Sequence, residues 1–140
     1  MSTFNDVMQK WVNTDYKILV SLAKEAIVRL TPACKQVDPK NGGYTMLSAI
    51  ILSAVCADGT VSTMEQTMLK EILNLDDNKM RQFIKSYDQQ YPGLTEYFCQ
   101  NMGSHLQADT IMLVTALCAV DEKISSEETK LIKKLMGAES

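Results

Sequence analysis

The chain holds little of what most catalytic chemistry requires. A single histidine, His105, stands among 140 residues, which leaves almost no room for histidine catalysis or a histidine-rich zinc site. The four cysteines, Cys34, Cys56, Cys99 and Cys118, lie far apart and form no CxxC pair. They read as reduced, mostly buried thiols of a cytoplasmic protein. No P-loop, GxGxxG or Ser/His/Asp set is present, so an enzyme is not expected. Lysine and arginine form no dense run and the net charge is −3, which argues against a nucleic-acid grip. The opening stretch "MSTFNDVMQKW" has no basic segment followed by a long apolar core, so no secretory leader is expected. The longest apolar runs fall well short of the ~20 residues that span a bilayer. Direct membrane insertion is therefore not expected. Sustained period-2 alternation, the mark of half-buried strands, is also missing.

What remains is helical. Hydrophobic residues make up 46% of the chain, enough for a globular core, and the length suits one domain over residues 1–140. Ser2 can cap a first helix with Phe4, Val7, Met8 and Trp11 on its inner face. Thr14 or Asp15 can start a second, with Ile18, Leu19, Leu22, Ala23, Ile27 and Leu30 inward. "VDPKNGG" at 37–43 is the clearest break. Residues 44–57 are apolar nearly all round, as expected of a central helix. A fourth helix follows Ser62. Asp76 or Asp77 can cap a fifth, which "YPG" at 91–93 ends. A sixth runs from Thr95 to near Met102, with His105 in the turn beyond it. Residues 110–120 make a second all-round apolar helix, and a last helix after Ser125 turns Leu131, Ile132, Leu135 and Met136 inward. Most of the nine methionines fall at inward positions, as core fillers.

One stretch occurs twice. "ADGTVSTMEQTMLKEIL" pairs with "VDEKISSEETKLIKKLM" at a constant offset. Asp58 meets Asp121, Val61 meets Ile124, Ser62 meets Ser125 and Glu65 meets Glu128. An apolar helix precedes each copy. The fold class that follows is an all-α, single-domain bundle of about seven to eight helices. Within it lies an internal pseudo-twofold repeat of helix, acidic loop and helix, over roughly 44–75 and 108–137.

The repeated residues have a structural reading. Ser62 with Glu65, and Ser125 with Glu128, are spaced as capping boxes. Gly59 suits a left-handed helix end. Glu122 stands at the equivalent place, so that end must differ or carry strain. Caps leave Asp58 and Asp121 unexplained, because a negative charge at a helix C-terminus opposes the dipole. Each needs a partner: loop amides, a lysine or a cation. The second copy also gathers Asp121, Glu122, Glu127 and Glu128, an oxygen-rich set suited to a hard divalent ion. It is not an EF-hand. With Asp58 at the fifth position of such a loop, Gly59, Val61 and Glu65 fit, but the first and third ligand positions fall on Ala54 and Cys56. In the second copy they fall on Leu117 and Ala119.

"ADGTVSTMEQTMLKEI" at 57–72, and "AVDEKISSEETKLIKKLMG" at 119–137 following "IMLVTALC", together resemble the TerB-like family. This is the tellurite-resistance domain also found at the N-terminus of some membrane-anchored DnaJ-type co-chaperones. The resemblance covers roughly residues 44–137. It implies an all-α bundle with a pseudo-repeat, an acidic divalent-metal site, and a bacterial stress or metal response at the inner face of the membrane. The family's loop Asp and helix-start Glu match Asp58, Glu65, Asp121 and Glu128. The departure is Asp121-Glu122, where the family usually has Asp-Gly. The expected function is a non-enzymatic stress-response domain that binds calcium or magnesium through these four residues. It would have a protein partner and, at most, peripheral membrane association through a membrane-bound complex. The alternative is a protein-interaction or adaptor module whose acidic loops only cap helices and meet a basic partner surface.

Overall fold

The computed structural model describes residues 3–137. Eight α-helices follow one another: α1 (Phe4–Val12), α2 (Tyr16–Val37), α3 (Tyr44–Val55), α4 (Thr63–Leu73), α5 (Asp77–Lys85), α6 (Tyr91–Asn101), α7 (Ser104–Ala119) and α8 (Ser126–Leu135). A short 3-10 turn, Pro39–Asn41, links α2 to α3. The fold is all-α, and the described residues contain no strand. No helix among them is long and apolar enough to cross a membrane.

The helix ends follow local chemistry. Thr3, not Ser2, caps α1, forming a capping box with Asp6; Ser2 lies outside the described residues. The break at 37–43 is organised by Asp38, which accepts from the Asn41 side chain at 3.1 Å and the Thr45 amide at 2.9 Å. Gly43, at φ +84°, brings the chain so close to α2 that a Cβ would sit 2.8 Å from the Lys35 nitrogen. Asp76 is the N-cap of α5, accepting from the Lys79 amide at 2.8 Å.

Two boundaries differ from expectation. "YPG" opens α6 instead of closing α5. Proline lacks only an amide that the first helical turn leaves unbonded anyway, so Pro92 fits there. The second apolar helix starts at Ser104, a turn and a half before residue 110, so His105 lies in the first turn of α7 and is exposed.

The core forms around α3 and α7. Residues 48–55 and 113–120 are buried without interruption, as expected of helices apolar on every face. The longest helix, α2, lies along α7, and α3 packs against both α6 and α7. An ion pair between Arg29 and Asp109, 2.8 Å long, ties α2 to α7 at the edge of that contact. Three residues expected to face inward are exposed: Val7, Ile18 and Met136. Val7 and Ile18 lie beside the more buried Met8 and Leu19 in their helices, and Met136 is the C-cap beyond the buried Leu135.

Candidate functional site

The two copies build nearly the same local structure. In the first, α3 ends at Val55 and Gly59 enters the left-handed region at φ +87°. Its amide donates to the Cys56 carbonyl at 3.0 Å. In the second, α7 ends at Ala119 and Glu122 takes φ +65°. Its amide donates to the Ala119 carbonyl at 3.2 Å, the equivalent bond. Glycine enters this conformation freely, whereas glutamate is strained there.

Both expected capping boxes are present. Ser62 Oγ accepts from the Glu65 amide at 3.1 Å, and Glu65 Oε1 accepts from the Ser62 amide at 3.0 Å. Ser125 and Glu128 repeat this at 3.1 and 2.8 Å. The boxes draw both glutamates inward: Glu65 is 1% exposed and Glu128 3%.

A bond between the copies brings the loops together. The Ser62 hydroxyl donates to Asp121 Oδ1 through a short hydrogen bond. Ser62 therefore serves two loops at once, as the cap of α4 and as the donor that holds Asp121. The charge opposing the α7 dipole thus has its partner. Asp58 differs. It is exposed and accepts only from its own loop, from the Thr60 amide at 3.3 Å.

The electrostatics are anionic. Burial pushes the Glu65 carboxyl up to about 8, and the charges of Asp121 and Glu128 add to that rise, against the lowering effect of the Ser62 amide. Burial also raises Glu128, with a contribution from the Asp58 charge; bonds from Ser125 and the Cys118 thiol oppose it. One oxygen, Glu65 Oε2, is buried with no hydrogen-bond partner. Among the described residues, no lysine or arginine forms an ion pair with either glutamate. The ion pairs among the described residues are Arg29–Asp109 and Lys70–Asp77, both elsewhere.

Burial raises the thiols beside the loops. Burial first, then Glu65 and Asp58, push Cys56 up to about 11. Cys118 is raised as well, by full burial and then by Glu128. Both stay protonated at neutral pH, so neither is a ready nucleophile or soft-metal ligand.

Of the four expected ligands, the fold brings Asp121 beside Glu65, and Asp58 within the electrostatic reach of Glu128. Glu65 and Glu128 also feel one another's charge. Among the described residues, no three Asp, Glu, Cys or His side chains are placed to hold a metal ion as they stand. An all-oxygen set with one orphaned buried carboxylate oxygen fits a hard cation in kind. Sequence reasoning missed the second role of Ser62. Its only signal was a hydroxyl beside a charge-rich loop, and Ser125 shares that signal without sharing the role. No family model matches the chain, and no curated protein or solved structure matches it either.

Proposed function

We propose that the chain is a non-enzymatic, TerB-like stress-response domain of a bacterial cytoplasm. In this reading it binds a divalent cation, calcium or magnesium, weakly where the two acidic loops meet, and signals to a protein partner. One observation carries the reading: the Ser62–Asp121 bond joins the loops directly beside Glu65, whose Oε2 is buried and unpartnered. A buried carboxylate without a donor or counter-charge costs stability, and a proton or a cation removes that cost. Glu65 and Asp121 would supply the inner oxygens, Asp58 and Glu128 the flanking charge, and water the rest of the shell. So few protein oxygens imply affinity at the weak end of the calcium range.

The test is a calcium and a magnesium titration followed through backbone amide signals. Residues 58–65 and 121–128 should shift at high micromolar to millimolar ion. Silence of both loops up to about 10 mM, beyond the weak extracellular-module range, would transfer support to the interaction-module reading. A specific observation already favours that second reading: Glu65 Oε1 and Glu128 Oε1 are committed to capping boxes. The exposed carboxylates, Asp58 and Glu122 among them, would then face a basic partner.

A further inference from the structure

Away from the acidic loops, a cavity of about 430 Å³ opens between α3, the end of α4 and α5. Its size lies within the range of small-molecule sites, about 300–1,000 Å³. Leu47, Ile51, Leu73 and Phe83 form an apolar floor, with Ile51 and Phe83 buried in the core itself. Tyr44, Lys79 and Gln82 are exposed and stand at the mouth, while Ser48 is buried in the wall. Lys79 is the single charged residue of the lining. Its ammonium belongs to neither ion pair found among the described residues. The nearby Asp76 carboxylate is taken up in capping α5, by the Lys79 amide itself.

We propose that this cavity binds a small amphipathic anion, a monocarboxylate with an apolar tail. The tail would lie on the floor, and the carboxylate would meet Lys79 at the mouth, with the Tyr44 hydroxyl and the Gln82 amide as further donors. The charge at the mouth decides the class of ligand. Water already solvates the exposed Lys79 ammonium, so a carboxylate gains the several-fold preference of a surface ion pair over a neutral head, and the lining holds no second cation to favour a dianion. Specificity for the tail is expected to be loose, since apolar contact is non-directional and each buried methylene tightens binding about fourfold.

Octanoate and 1-octanol share a tail and differ in the head, so they separate the two parts of the site. The whole chain is titrated with each below its aggregation range, in chelator and without divalent ions, which keeps the outcome independent of the acidic loops. Octanoate should give saturable amide shifts confined to residues 44–51 and 73–86, and should bind several-fold tighter than octanol. Lys79→Gln, a change at an exposed position, should erase that preference and leave octanol binding unchanged. Three results would overturn the proposal: absence of saturable shifts, shifts centred elsewhere, or equal affinity of acid and alcohol for the unaltered chain.

Discussion

The first and second acidic loops share a backbone and differ in how their charges are held. Both turn through a left-handed residue closed by the same amide-to-carbonyl bond, and both lead into a serine–glutamate capping box. Beyond that they diverge. Ser62 reaches across to Asp121, whereas Asp58 stays in its own loop. The Cys118 thiol and Ser125 offset part of the burial rise at Glu128, whereas Glu65 keeps one buried oxygen bare. The left-handed position is glycine in one copy and glutamate in the other. The capping box is thus the common structural element. The cross-loop bond and the unpartnered carboxyl are what make this corner a candidate site. Four experiments separate these contributions.

The largest effect concerns pH. The Glu65 carboxyl is raised to about 8 in the folded chain, from an ordinary value of 4.5. Between those two values the folded state holds a proton that the unfolded chain releases. Stability therefore falls as pH rises through that window and is level on either side, with a slope of up to about 1.4 kcal/mol per pH unit. Denaturant melts from pH 4 to 9 in chelator should show this decline. Glu65→Gln keeps the capping box and should flatten it. Glu128→Gln should flatten it less, because Ser125 and the Cys118 thiol oppose the rise of its carboxyl. An unchanged slope in the Glu65→Gln chain would remove Glu65 as its source.

The two serines come next. Ser125→Ala removes a cap alone and should cost about 1 kcal/mol. Ser62→Ala removes a cap and also strands Asp121, so about 2 kcal/mol is expected. Equal losses in urea melts would mean that the bond to Asp121 adds nothing.

The smallest effect lies at the left-handed residues. Glu122→Gly should stabilise the chain by about 1 kcal/mol, by relieving strain. Gly59→Ala should cost about as much, because its Cβ would meet nothing within 4 Å and only the backbone conformation is penalised. Opposite signs in thermal melts would confirm that the loops share one backbone. The same sign in both would deny it.

Much of this was legible beforehand because it is local. A capping box spans four residues, a left-handed end needs one glycine, and a helix apolar all round must be central; the two boxes, Gly59, α3 and α7 all follow from such rules. Pro92 misled because proline marks a helix start as readily as a stop. Val7, Ile18 and Met136 misled because periodicity locates a stripe but not the width that neighbouring helices cover. The bond from Ser62 to Asp121 was beyond reach, since it depends on how two hairpins pack, and nothing in either repeat encodes which serine crosses over.

The central claim is that the two loops form one cation site. Its most direct test compares titration curves read separately from amides of residues 58–65 and of residues 121–128 as calcium is added. One shared site predicts a single midpoint for both sets, moved to higher calcium by the same factor in both when Asp121→Asn removes a carboxylate from only one loop. Different midpoints, or an Asp121→Asn effect confined to residues 121–128, would contradict it.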